Sequence, residues 1–207
     1  MKIFKNLPYL VFIVLIGVTV VYADVLIPTN ASLENIRPQI LLPKTGQINC
    51  WSAAGILIRC AGTGQDGEYQ IGLPINGDRF IDNKNGTLFD RATNLIWQKC
   101  SKGQGVLNCS GTATTTNWAG ALNYCNTLNL VGSGWRLPNR NELISIVNLS
   151  GAYPAIDNKM FPNTPSVYFW SSTSHQEIFT SAWLVDFGSG LVNFYVKSFQ
   201  NYVRCVR

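Results

Sequence analysis

Apolar residues in this chain fall into short runs separated by long stretches of Asn, Ser, Thr and Gly, and the spacing within each run predicts the element it forms. Leu10 to Val21 is an apolar run of about a dozen residues, short of the roughly 20 that a bilayer span needs. It follows Lys2 and Lys5 and ends at Val21-Tyr22-Ala23, a pattern that predicts a signal peptide over residues 1–23, cleaved before Asp24. No membrane span is expected once that segment is removed, and no Cys follows it to carry a lipid. Residues 24–45 hold Pro28, Pro38 and Pro43 with no period and are expected as an extended N-terminal leader. Residues 46–78 are expected to form a small stapled hairpin segment, in which Ile56 and Ile58 share a strand face, Gly55 turns the chain, and residues 62–67 are loop.

From residue 79 the pattern strengthens. The polar turn Asp82 to Thr87 precedes a strand over 87–89, and a second turn leads to the strand Leu95-Ile96-Trp97. Trp118, Ala121, Leu122, Cys125 and Leu128 recur at helical spacing, which predicts a helix from about 118 to 128 capped by Asn117 or Thr116. The next stretch, Gly134 to Leu143, joins a large aromatic, a rigid turn and a helix start. Pro138 keeps Trp135 to Leu137 extended, and Asn139 with Glu142 three residues on has the spacing of a capping box. Leu143, Ile146 and Val147 give this second helix its apolar stripe, and Gly151 is expected to end it. A long loop with Pro154, Asp157, Pro162 and Pro165 follows. Four runs that alternate like β then close the chain: Tyr168–Ser172, Ala182–Phe187, Leu191–Val196 and Tyr202–Val206, with Gly188-Ser189-Gly190 as a tight hairpin.

Composition narrows the function classes. Only 13 % of residues are charged, and the signal segment carries two of the lysines behind the +5 net charge, so nucleic acid is not an expected partner. Six cysteines in an exported chain favour a disulfide framework over metal or catalytic use; no Cys-x-x-Cys is present and His175 is the only histidine. Six cysteines allow 15 connectivities. Placing them on the predicted elements selects Cys50–Cys60 and Cys100–Cys109 as local staples. Cys125, on the buried helix face, pairs with Cys205 in the last strand, a closure of about 80 residues contributing ~4 kcal/mol in the chain-entropy model. The Asp82 turn approaches a calcium loop, but Lys84 stands where the second oxygen ligand belongs. No cofactor or metal is therefore expected, with structural calcium at this turn the single exception kept open.

The local wording is more specific than the pattern. Trp118-x-x-Ala121-x-x-x-Tyr124-Cys125, Gly134-Trp135-Arg136-Leu137-Pro138, Glu142-Leu143, Asp157, Phe161-Pro162, Trp170-Ser171-Ser172, Ala182-Trp183 and Val203-Arg204-Cys205-Val206-Arg207 resemble the bacterial Lcl C-terminal domain family. The resemblance runs from about residue 79 to the end, so 79–207 is expected as the main domain. It implies an α+β, C-type-lectin-like fold with two helices packed on antiparallel sheets and stapled by disulfides. It further implies an exported, periplasmic, cell-surface or extracellular protein, and adhesion to sulfated glycans, as for the collagen-like adhesin that names the family. This chain has no Gly-x-y repeat. It also lacks the calcium-dependent sugar motif of C-type lectins, since Phe161-Pro162-Asn163 has Phe in place of Glu and Trp183-Leu184-Val185-Asp186 lacks the Trp-Asn-Asp run.

The residues that carry the resemblance, Trp135, Arg136, Leu137, Pro138, Glu142, Asp157, Trp170 and Arg204, read as structural: Glu142 completes a cap, Arg136 pairs with Glu142 or Asp157 inside the fold, and the tryptophans are mostly core. No catalytic residue is assigned, because His175 and its neighbouring serines lie on one short loop. The candidate ligand residues are Asn193, Tyr195, Lys197, Gln200 and Tyr202, which mix amide, aromatic and basic groups on the last strands. The function expected is a non-enzymatic binding or adhesion module for a glycan or a surface protein. The alternatives are an oxidoreductase like the formylglycine-generating enzymes, whose Arg-Leu-Pro helix entry Arg136-Leu137-Pro138 resembles, and a structural part of a surface assembly.

Overall fold

The computed structural model describes residues 42–74 and 77–207, together with the backbone of two strands, β1 (Phe12–Ile16) and β2 (Thr19–Ala23). These two pair antiparallel, Phe12 with Ala23, within a unit spanning Met1–Ile40. The rest of the signal segment and most of the leader lie outside the described residues. The second unit, Leu41–Arg207, is an α+β domain whose described residues form three helices, three small antiparallel sheets and three disulfides.

The domain opens with the stapled hairpin of β3 (Cys50–Trp51) and β4 (Leu57–Ile58). Residues 62–67 are not all loop as expected: Asp66–Tyr69 form a helical turn, α1. The Glu68 carboxylate accepts hydrogen bonds from the Gly62 and Gly64 N–H groups, and those two bonds hold its pKa below the ordinary value. At the end of the expected leader Pro43 bridges Leu73, so residues 42–45 are tied to the domain.

The second sheet orders β5 (Phe80–Asp82), β6 (Thr87–Asp90) and β7 (Leu95–Gln98); β5 was not expected as a strand. Leu88 and Trp97 point into the core. A fully buried bidentate pair locks its start, with Arg79 Nε and Nη2 donating to Asp90 at 2.8 and 2.7 Å. Ala92 N–H and Thr93 Oγ1 also donate to that carboxylate. In the polar turn Asp82 binds two ammonium groups, Lys84 at 3.1 Å and Lys99 at 3.0 Å. Burial pushes the Asp82 carboxyl up, but the Lys84 N–H and the two lysines outweigh it and leave it below the usual range.

Helix α2 (Trp118–Thr127) is capped by Asn117, whose side chain accepts from Gly120 N–H, and buries Ala121 and Cys125. Helix α3 is shorter than its apolar stripe suggests, Arg140–Ser145. Ile146 and Val147 remain in the core, but the backbone turns away: Val147 bridges Ile156, and Asn148 and Leu149 donate to Ala155 and Thr45 carbonyls. Sheet pairing has taken the hydrogen bonds a longer helix would have used.

The third sheet has the order β10 (Val192–Val196), β9 (Ser181–Asp186), β8 (Tyr168–Ser174). Its two faces lie against α2 and α3. The last segment, expected as a regular strand over 202–206, instead makes isolated bridges. Tyr202 pairs beside Phe169, and Val206 with both Trp97 and Arg136. It runs through a seam where its partner changes every few residues, and no single neighbour lasts long enough to build a ladder. The structure joins Cys50 to Cys60, Cys100 to Cys109 and Cys125 to Cys205, the last tying α2 to this seam.

Candidate functional site

The stretch Gly134 to Leu143 is structural. Trp135 is buried and its Nε1 donates to the Leu130 carbonyl, while Leu137 and Pro138 are buried beside it. The capping box is complete, with Asn139 Oδ1 accepting from Glu142 N–H and Glu142 Oε2 accepting from Asn139 N–H. Arg136 adds a fork on the same carboxylate at 2.7 and 2.6 Å. It does so at the surface rather than inside the fold, its side chain 44 % exposed. Asp157 does not take part; its Oδ1 accepts from Lys159 N–H and stabilises a turn. Arg204 is buried between Ser101, Thr164 and the Phe161 ring, and burial pushes its pKa down to about 9. Trp170 is core, with its Nε1 donating to the Thr116 carbonyl.

The sequence-predicted ligand residues divide. Asn193 and Tyr195 lie on β10, an edge strand whose five residues are all exposed, and Gln200 is exposed in the turn after it. Tyr202 does not join them: its ring packs on buried Phe169 at 5.6 Å and belongs to the core margin. Around Tyr195 the structure assembles rings that are distant in sequence, with Tyr168 at 5.6 Å and Phe199 at 5.4 Å. Lys197 lies 4.2 Å over the Trp118 ring and donates to the Phe179 carbonyl. The result is a run of half-exposed to exposed rings on the face of β10 that also carries Asn193, with the Lys197 ammonium group after it.

The opposite face of β10 carries a second cluster. Phe194 meets His175 at 4.4 Å and Trp183 at 5.6 Å, His175 stacks on Trp183, and the Arg140 guanidinium lies 4.8 Å from the Trp183 ring. His175 Nδ1 accepts from the Glu177 and Ile178 N–H groups, leaving Nε2 to carry the ring proton. Ser171, in the same sequence neighbourhood, is buried and donates to the Trp183 carbonyl, so it is not turned toward His175 as a nucleophile. Among the described residues no group of His, Cys, Asp and Glu side chains is arranged to hold a metal ion.

A separate cleft of about 300 Å³ lies between residues 42–45, α3 and Gly190, lined by Leu42, Pro43, Ile144, Val147 and Leu149. None of the sequence-predicted ligand residues reaches it. Sequence reasoning missed Tyr168, Trp118 and Phe199 as site residues. Phe199 carried a readable signal, an aromatic ring in a polar turn; the other two look like core positions of their own elements.

This is a disulfide-stapled α+β domain with a cluster of half-exposed to exposed aromatic side chains along one sheet edge. Residues 86–207 match the family model described as the Lcl C-terminal domain, and the chain belongs to that family. A comparison with curated proteins finds no match. Its three disulfides fit an oxidising compartment outside the cytoplasm, and among the described residues no helix is long and apolar enough to cross a membrane.

Proposed function

We propose that this chain is an exported, non-enzymatic binding module that recognises a glycan at the cell surface through the β10 edge. The carrying observation is the run of exposed Tyr195 and Phe199 with half-buried Tyr168, beside Lys197 and Asn193. Sugar rings present C–H faces that stack on aromatic rings, amides match their hydroxyls, and an ammonium group adds preference for sulfated or carboxylated units. The C-type-lectin-like scaffold belongs to the same reading. It is supported by the long-range Cys125–Cys205 bond between the first long helix and the C-terminal segment, and by the capped entry of the second.

The enzyme alternative would need a reactive cysteine pair, and the pairing of all six cysteines supports the binding role instead. The test is a glycan array probed with residues 24–207 at low and high salt and with chelator. Binding that survives chelator, weakens with salt and falls on Tyr195→Ala supports the reading. Absence of binding to every glycan, or two titratable free thiols in the native protein, would remove it.

A further inference from the structure

The stapled hairpin of β3 and β4 ends in an apolar tip. From Trp51 to Ile58 it carries no charged residue, and Ile56, Leu57 and Ile58 are consecutive. The register sets Trp51 opposite Leu57 on one face, and alternation puts Ile56 and Ile58 on the other. All four are exposed, Trp51 by 41 %, Leu57 by 64 %, Ile56 by 65 % and Ile58 by 38 %. A two-stranded sheet that faces water on one side keeps its apolar residues on the other. This tip is apolar on both faces and buried on neither. At its turn a Cβ on Gly55 would meet no atom beyond its chain neighbours within 4 Å.

The tip is braced at its base and closes its own turn. Cys50–Cys60 ties the two ends together. Ser52 N–H donates to the Ile56 carbonyl, Gly55 N–H to the Ser52 carbonyl and Ile56 N–H to Ser52 Oγ. The outward backbone groups of Trp51 are both taken by the Gln65 side-chain amide: Trp51 N–H donates to Gln65 Oε1 at 3.0 Å, and Gln65 Nε2 donates to the Trp51 carbonyl at 2.9 Å. That bracket occupies the β3 edge, and each strand has only two residues, so a further strand finds no ladder to join there. Backbone groups paired within the segment are what entry into an apolar medium requires.

A folded partner laid against a hairpin covers one face, whereas a lipid bilayer closes around both. The base of the tip suits the same medium. Trp51 is an aromatic of the kind that settles at headgroup level, and the exposed Arg59 supplies a cation for anionic headgroups. From Trp51 to the turn at Ala54 the chain extends roughly 10 Å, the depth of the boundary between headgroups and acyl chains and well short of a span. We propose that this tip inserts into the surface of a lipid bilayer, with Ile56, Leu57 and Ile58 among the acyl chains and Trp51 and Arg59 at the headgroups. The tip lies outside residues 86–207, and none of the glycan-site residues takes part.

The experiment is co-sedimentation of residues 24–207, which omit the apolar run Leu10 to Val21, with phosphatidylcholine vesicles with and without phosphatidylglycerol. The expected result is partitioning onto both, stronger on the anionic vesicles. Leu57→Asp should lower it about tenfold or more with an unchanged near-UV spectrum. Arg59→Gln should lower it about fivefold, on the anionic vesicles alone. Brominated lipid should quench tryptophan emission, and Trp51→Phe should remove that quenching while vesicle binding is retained. Absence of binding to either vesicle overturns the proposal. So does binding that Leu57→Asp leaves unchanged, or quenching that persists in Trp51→Phe. A lipid-free increase in mass with concentration that Leu57→Asp abolishes would assign the tip to a second copy of the chain and overturn it as well.

Discussion

Glu142 holds the entry of α3 with one carboxylate, and its removal can be followed quantitatively. That carboxylate accepts from Arg136 Nη1 and Nη2 and from Asn139 N–H, at 2.7, 2.6 and 2.8 Å. Loss of a capping interaction costs about 1 kcal/mol. The Arg136 fork would be worth more if buried, but with Arg136 44 % exposed and Glu142 18 % exposed it is discounted to ~0.5–1 kcal/mol. Glu142→Ala should therefore lower stability by about 2 kcal/mol, or a Tm shift of roughly 4–8 °C for a domain of this size. Denaturant unfolding with the disulfides intact measures it, and a double-mutant cycle with Arg136→Ala separates the fork from the cap. Burial raises the Glu142 pKa, but the Arg136 and Asn139 hydrogen bonds and the Arg136 charge outweigh it, leaving the carboxyl below its ordinary 4.5. A lowered folded pKa means that this stability is fully present above the unfolded value and is lost as pH falls through the folded one. The difference between wild type and Glu142→Gln should accordingly shrink on acidification below about pH 4.5. A destabilisation under ~0.5 kcal/mol, a cycle with no coupling, or a difference that grows on acidification would refute this account of the helix entry.

Other consequences are as direct. Asp90→Ala leaves Arg79 buried without its partner and should cost about 3–5 kcal/mol by denaturant unfolding, whereas Arg79→Leu with Asp90→Leu should cost less because no unpaired charge remains. Replacing Cys125 and Cys205 together by Ser should remove ~4 kcal/mol, read as a lowered denaturation midpoint. Gly190→Ala introduces a Cβ about 2.5 Å from Leu149 Cδ2 at a φ of +80°, and should lower the thermal midpoint measurably. In a glycan assay Lys197→Gln should flatten the salt dependence while Tyr195→Ala weakens binding at every salt concentration, by a factor of roughly 2–10 for one lost stacking contact.

What was legible in the sequence was local. Asn139 and Glu142 are three residues apart on one helix entry, and their reciprocal bonds need nothing from the rest of the chain. The same holds for the Asn117 cap and for the short staples Cys50–Cys60 and Cys100–Cys109, whose loops bring their own ends together. Cys125 could be matched to the last segment because its place on the apolar helix stripe made it face the core.

Tertiary structure decided the matters that depend on which neighbour an element meets. Alternation along Leu191–Val196 predicts a strand but is silent on whether a further strand lies beside it, so the open edge of β10 emerges only once the sheet order is known. The same alternation is present near Tyr202, whose ring the seam turns onto Phe169 and away from the site. Helix α3 stops at Ser145 because Val147 finds Ile156, a contact that no helical period encodes. The aromatic run itself joins Tyr168, Tyr195 and Phe199 from two strands and a turn. The physical reason is common to all four: caps and tight loops are set by hydrogen bonds within a few residues, while exposure and stacking are set by surfaces that meet only after the chain has folded.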